Sequence, residues 1–464
     1  MPGRTDLPTP KIQPALDVDF RPAVLANRDF RAQAASGGVP FVIGLERNEN
    51  EIARFEGKLL PAEHPDAGAN LEYIERLVKF LLWQRGAHRI YIGGPREIGE
   101  HISKIYAPDG KRRFDHLFMG EQVFERPFQV VVCKPEEVPA GHETAKWLGR
   151  HLDGCRIGFD LGASDRKVSA VVDGKVIYSE EVVWEPRKQA DPEYHYREIV
   201  TALKSAATHM PRVQAIGGSS AGIIIDNRPM VASLFRSVPK EHFDQVRNLF
   251  LRVRKEFGVP LEVINDGEVT ALAGSMSIGE NGVLGIALGS SEAAGYVDRD
   301  GRITGWLNEL AFAPIDASRV APVEEWSGDR GCGASYLSQA GVFRQAPKVG
   351  IKIPAALTDA DKLLFVQEKL ETGHAGAMQI WQNMGICLGY ALALYADFYD
   401  VRHVLILGRC TSGRGGELLL AGAQEVMKAE FPELQEKISI HLPDEKVRRV
   451  GQSVAAASLP ALDQ

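Results

Sequence analysis

The sequence predicts an α/β fold in which a central sheet is covered by helices on both faces. Three observations carry that reading. Beyond about residue 40, short apolar runs of strand character alternate with segments of helical period. Several of those runs end in a turn bearing glycine and serine. The 464 residues, 44% hydrophobic and 25% charged, have ordinary globular composition and are too many for one domain.

Composition also excludes. A formal net charge of -7 leaves no basic excess for a nucleic-acid surface. No window reaches the roughly 18 apolar residues of a membrane span, and the start lacks a signal-peptide core, so a cytoplasmic protein with no membrane partner is expected. Cys133, Cys155, Cys332, Cys387 and Cys410 form no CxxC pair and read as free, buried thiols.

In chain order, residues 1–40, rich in Pro and Ala, read as an arm laid over the surface. Residues 41–46 form a buried strand. Leu71, Ile74, Leu77, Val78, Leu81 and Leu82 then fall at helical spacing, and "RIYIGG" (89–94) is a second strand followed by a short helix at 96–106. From residue 156 the order recurs: a strand into a turn, a returning strand, a Gly-Lys turn to a third, a helix, and a strand ending in Gly-Gly. This is read as a degenerate repeat, or as the general likeness of β-β-β-α-β units, with Asp160, Gly162 and Ser164 facing Glu46, Asn48 and Asn50 of the earlier copy. Residues 41–106 are expected to fold as a sheet-plus-helix unit similar to 156–225.

Further on, Phe243, Val246, Phe250, Val253 and Phe257 share one helix face. The strand "LEVIND", a small-residue helix "GEVTALAGSM" and a hairpin over 282–303, closed at 299–301, follow. The last third holds a long apolar helix (378–399), the strand "HVLILG", a helix after "TSGRGG", the strand "KISIHL" and a final helix over 447–459.

Four turns carry chemistry. "GFDLGAS" sets Asp160 at a strand end, with Gly162 allowing close backbone approach and Ser164 able to donate to anionic oxygens; it suits a Mg²⁺ site against phosphates or is a plain hairpin turn. In "VINDGEVTALAG", Asp266 is either a helix N-cap or a general base with Asn265 beside it. "IALGSSEAAG" runs into a Gly289-Ser290 turn of phosphate-cradling type. "VLILGRCTSGRGG" is strand, glycine-rich loop and helix, where a planar ring can lie against backbone.

That order of turns resembles the actin-like ATPase superfamily, and most closely its ROK family of sugar kinases and sugar-responsive repressors, over about Arg156 to Pro460. The resemblance implies two ribonuclease-H-like domains with a ligand cleft between them, here with an additional N-terminal α/β unit. It implies ATP and Mg²⁺ as cofactors, a carbohydrate as ligand, and a homodimer; the charge balance and the lack of a basic recognition helix before residue 150 leave no nucleic-acid partner expected. It assigns Asp266 as catalytic base, Asp160 (through Mg²⁺), Gly162, Ser164, Gly289 and Ser290 to phosphate, Gly408, Gly413 and Gly415 to adenosine, and Ser219, Ser220, Asn265 and Glu309 to sugar. The expected divisions are an arm (1–40), the extension (41–150), a first domain (151–265 with the helix 446–460) and a second (266–445).

The pattern breaks at two places. Phe312 stands where the family has a histidine, and Cys332 is the only cysteine in the place of a cysteine-rich zinc loop whose closing acid is replaced by Ala334, so no zinc is expected. The lost polar partners and the aromatic face of Phe312 point away from glucose, toward another hexose, an amino sugar or a polyol. Glu292 in the second phosphate turn either faces a nucleotide and repels it or lies on the outer face of the hairpin. An ATP-dependent carbohydrate kinase is the first reading; a non-catalytic sugar or nucleotide sensor is the second.

Overall fold

The computed structural model describes residues 7–49, 51–442 and 445–462, with the backbone alone over 445–450. Asn50, set against Ser164 above, lies outside the described residues. The chain divides into two compact units: Met1–Thr144 with Ile286–Ala293 and Trp306–Leu442, and Ala145–Gly285 with Ala294–Gly305 and Pro443–Gln464.

The first unit opens with a segment that is more than a surface arm. Its helix α1 (Ala23–Ala34) buries Val24 and Phe30, Phe30 stacks on Tyr73 at 4.0 Å, and the preceding Phe20 is buried. Strands β1 (Val39–Asn48) and β2 (Glu51–Leu59), helix α2 (Ala69–Arg85), β3 (Arg89–Gly93), helices α3 (Arg96–Ile105) and α4 (Arg113–Leu117), and β4 (Gln129–Cys133) follow. The sheet order is β2-β1-β3-β4. The C-terminal half of α2 is buried all round, Lys79 and Gln84 included, as expected of a helix covered on several sides.

In the second unit, β5 (Cys155–Leu161), β6 (Asp165–Val172) and β7 (Lys175–Val183) form an antiparallel meander. Helix α5 (Pro192–Ala207) then leads to β8 (Ala215–Ser220), which pairs with β5 in parallel. A small hairpin, β9 (Ile223–Ile225) and β10 (Arg228–Val231), helices α6 (Phe243–Arg247) and α7 (Leu249–Phe257), β11 (Leu261–Asn265) and α8 (Asp266–Ile278) complete the run. The predicted single helix over 241–258 is therefore two, broken at Asn248. The sheet order is β11-β8-β5-β6-β7. Ile157, Phe159 and Leu161 turn one face of β5 to a core shared with Ile199, Leu203 and Phe250.

The N-terminal copy does form a sheet-plus-helix unit, but not the same one. Gly57 and Lys58 lie inside β2 instead of turning to a third strand, so one strand fewer precedes the helix. Each strand reverses the chain, and the strand after the helix consequently re-enters the other way round: β3 pairs with β1 antiparallel, whereas β8 pairs with β5 parallel.

Strands β12 (Val283–Leu288) and β13 (Glu292–Val297) pass through the boundary of the two units and lie in a sheet of order β13-β12-β14-β15. The turn that joins them is at 289–291; residues 299–301, expected to close that hairpin, form a second turn in which Gly301 N–H reaches Asp298 O at 3.0 Å. The first unit then adds α9 (Gln339–Gln345), α10 (Asp359–Glu371), α11 (Ala375–Ala396), β14 (His403–Leu407), α12 (Arg414–Glu430), α13 (Pro432–Gln435) and β15 (Ser439–His441). Helix α14 (Glu445–Ala457) returns to the second unit. It lies so close to the sheet that a Cβ on Gly217 would sit 1.7 Å from Ala456 O, and one on Gly158 2.1 Å from Ser453 O. Those two glycines exist to let a helix backbone touch a strand backbone.

The divisions differ from those expected. Helix α8 groups with β5–β11, and the N-terminal residues group with 306–442 instead of standing apart. Of the five free cysteines, Cys133 is half-buried and the others are buried. Among the described residues, no helix is long and apolar enough to cross a membrane.

Candidate functional site

In the second unit, three parallel strands end together. Register places Asp160 of β5 beside Ser219 of β8, and Ser220 beside Asn265 of β11. Carboxyl ends of parallel strands are where open α/β sheets expose their chemistry. Ser219 Oγ donates to Asp160 Oδ1 at 2.6 Å. Ser220 Oγ is fully buried and has no hydrogen-bond partner among the described residues.

Asn265, not Asp266, caps α8. Its side-chain oxygen accepts from Gly267 N–H at 2.7 Å, while its amide nitrogen donates to Gly222 O at 2.8 Å. The cap is thus supplied by the preceding residue; the Asp266 carboxylate accepts the N–H of Gly267 at 3.0 Å and is also met by its own N–H and by the Asn265 side chain. Burial, and then the charge of Asp160, push Asp266 up to about 6, although it keeps a solvent-facing edge. Burial also raises Asp160.

The turn after β5 is more self-satisfied than its sequence suggests. Gly162 N–H is taken by Asp165 O at 3.0 Å, and exposed Ser164 donates to Asp165 Oδ2 at 3.0 Å. A further candidate, which no sequence motif marks, is Lys167, whose Nζ lies 3.2 Å from Asp165 Oδ1 and 4.0 Å from Asp160 Oδ2. The signal was available, because a tight turn between two antiparallel strands sets Lys167 directly across from Asp160.

The first unit holds the remaining candidates. At the 289–291 turn, Gly289 N–H bonds Ser291 O at 2.9 Å, and Ser290 is exposed at the tip. Gly408, at φ 100°, abuts the end of β12: a Cβ there would lie 2.5 Å from Leu288 O. Gly413, at φ 57°, adjoins Glu371, whose carboxylate takes Arg414 N–H at 2.9 Å at the start of α12. Gly415 makes room for the indole of Trp381, 2.4 Å from where its Cβ would be.

Glu292 does neither of the two things expected of it. It is 1% exposed, turned into the first unit, where Tyr395 O–H donates to Oε1 at 2.8 Å and Oε2 has no partner among the described residues. Burial pushes its carboxyl up to about 8, so it is mostly neutral at pH 7 and sets no negative charge in the turn.

Glu309 is half-buried, and its N–H donates to Trp83 O at 3.0 Å. Phe312 offers no aromatic face to a ligand. It is buried against Trp83 (4.1 Å), Phe114 (5.6 Å) and Phe118 (6.5 Å), a cluster built by the N-terminal residues. Nor do the residues after it fit zinc. Burial pushes the Cys332 thiol up to about 12, far from a thiolate ligand, and Asp329 is already paired with Lys79 and Arg112. Magnesium fits Asp160 only through water and phosphate oxygens. That carboxylate is a single protein ligand, and among the described residues no three His, Cys, Asp or Glu converge on a metal position.

These strand orders are those of the two-domain actin-like ATPase fold. Within it the chain has the fold of ROK-family proteins. A ROK-family transcriptional regulator, a homolog of the E. coli MLC protein, superposes with a TM-score of 0.53 at 17% identity, over 66% of this chain and 79% of that one. A ROK hexokinase from Thermus thermophilus does so with a TM-score of 0.50 at 18% identity, over 65% and 98%. No family model and no curated protein matches the sequence.

Proposed function

We propose that this chain is an ATP-dependent carbohydrate kinase, with Asp266 as general base. The observation that carries the proposal is a strand-end carboxylate freed from helix capping by Asn265 and raised to about 6 by burial and by Asp160. A base with a pKa near the working pH is ionised yet still basic enough to accept a proton. Asp266 takes the proton of a sugar hydroxyl as its oxygen attacks the γ-phosphorus; the new P–O bond forms while the bond to ADP breaks, and ADP leaves with those electrons. Lys167, with Ser164 and Ser290 in the turns that Gly162 and Gly289 shape for close approach, holds phosphate oxygens. Mg²⁺ bound through Asp160 and water would offset phosphate charge.

Gly408, Gly413 and Gly415 border the adenosine position, and Ser219, Ser220, Asn265 and Glu309 the sugar. With Phe312 turned into an aromatic cluster, one polar partner is missing from the sugar side. That favours a hexose other than glucose, an amino sugar or a polyol. A cytoplasmic homodimer is the assembly this reading expects.

The second reading, a non-catalytic sugar or nucleotide sensor, is favoured by the same loss at Phe312 and by a transcriptional regulator among the structural relatives. One experiment separates the two: ATP–Mg²⁺ turnover against a panel of hexoses, amino sugars and polyols, with Asp266→Asn alongside. The kinase reading expects turnover of one acceptor, reduced about 10²–10⁴-fold in the variant. Binding of sugar or nucleotide without turnover of any acceptor supports the sensor.

A further inference from the structure

The segment that carries Glu309 is built onto α2. Asn308 N–H donates to Gln84 O and Glu309 N–H to Trp83 O, both at 3.0 Å, and Phe312 stacks on the Trp83 ring. Asn308 sits at φ 53° and accepts Tyr399 O–H at 2.9 Å, which fixes the turn that aims the next residue. Gly86, at φ 79°, leaves space for Leu307: a Cβ there would lie 2.7 Å from Leu307 Cγ.

Trp83 is itself fixed. It is fully buried, and its indole Nε1–H donates to Asp115 Oδ1 at 3.0 Å. Asp115, also fully buried, is held by Lys79 Nζ at 3.2 and 3.3 Å, and Lys79 pairs in turn with Asp329. A buried ion set is costly to assemble and rigid once its partners are in place. Its members here come from α2, α4 and the 321–331 loop, and they converge on one tryptophan that has no reacting group.

We propose that Trp83 is a positioning residue: through its carbonyl and its ring it fixes where Glu309 presents its carboxylate to the hydroxyls of the phosphoryl acceptor. The N-terminal segment thereby supplies part of the acceptor site's rigidity. The inference rests on the kinase reading above and on Glu309 contacting the sugar.

The test compares Trp83→Phe, which keeps a ring against Phe312 but loses the bond to Asp115, with Glu309→Gln and with the double variant. Phe312→Leu probes the ring contact independently, and urea midpoints show whether each variant is folded. The expected result is a KM for the acceptor raised about tenfold in Trp83→Phe, modest beside the ~10²-fold that a 1 Å misplacement can cost. The KM for ATP stays unchanged, kcat stays within about twofold, and Trp83→Phe adds little in the Glu309→Gln background.

An unchanged acceptor KM in folded Trp83→Phe, a parallel loss in ATP KM and kcat, or full additivity with Glu309→Gln overturns the positioning role while the kinase reading stands. If Glu309→Gln leaves acceptor KM untouched, the sugar role of Glu309 falls and the inference with it. Should the panel give no turnover, the comparison is made on acceptor affinity by calorimetry, and absence of any binding overturns both readings.

Discussion

Glu292 offers the sharpest test of the electrostatics, because among the described residues it is a buried carboxyl with one hydrogen bond and no cation beside it. An ordinary glutamic acid titrates at 4.5, and burial moves this one up to about 8. The folded state therefore holds the proton more tightly than the unfolded chain. The stability this confers is fully present below pH 4.5 and is lost as pH rises toward 8. Across that window folding takes up close to one proton, so stability falls by about 1.4 kcal/mol per pH unit, or about 3 kcal/mol between pH 5 and pH 7. Glu292→Gln keeps the shape and abolishes the titration. Its absolute stability at pH 5 depends on how the new amide is accommodated where Oε2 had no partner, a cost of about 1–3 kcal/mol. The slope does not depend on that cost. Urea unfolding of both proteins at pH 5, 6 and 7, followed by tryptophan fluorescence, should show the variant gaining about 3 kcal/mol on the parent over the series. Parallel stability curves would refute the picture of a neutral buried acid and return Glu292 to the charged state expected from its sequence.

Further outcomes follow from the site and the sheet. With Asp266 at about 6, kcat/KM for the acceptor should fall tenfold per pH unit below pH 6, and the inflection should move lower in the residual activity of Asp160→Asn, which lacks the like charge that helps raise it. An inflection unmoved by that change would remove Asp160 as a cause. Gly217→Ala forces a methyl group into the backbone of α14 and should cost at least about 1–3 kcal/mol, read as a lower urea midpoint of the second unit; an unchanged midpoint would mean α14 does not lie flush on β8.

Much of the scaffold was readable from periodicity alone. The long helices α2 and α11, the strands β5, β8, β11 and β14, and the 289–291 turn stand where apolar spacing and glycines put them. What periodicity does not encode is partner choice. Strand β4, whose "QVVVC" is short and half exposed, was not anticipated. The inverted pairing of β3 follows from a strand count that a Gly-Lys pair inside β2 disguised. In the site, the residue types at strand ends were legible, but which residue spends itself on capping was not. Asn265 and Asp266 are both good caps in sequence, and only backbone geometry assigns the task to the first. Trp83 and Lys167 escaped notice because their importance lies in what they meet across space: a segment more than two hundred residues away in one case, a facing strand in the other.

The return of α14 to the sheet of the second unit has a consequence for synthesis. Strands β5 and β8 leave the ribosome early, yet the helix that seals their glycine-bearing face is made only after residues 306–442. Until then, Gly158 and Gly217 mark an open groove of backbone and small side chains, an incomplete surface during translation. Vectorial synthesis thus gives the nascent second unit a waiting period, and a chain halted before α14 should expose that groove to chaperones or to the α14 of a neighbouring molecule.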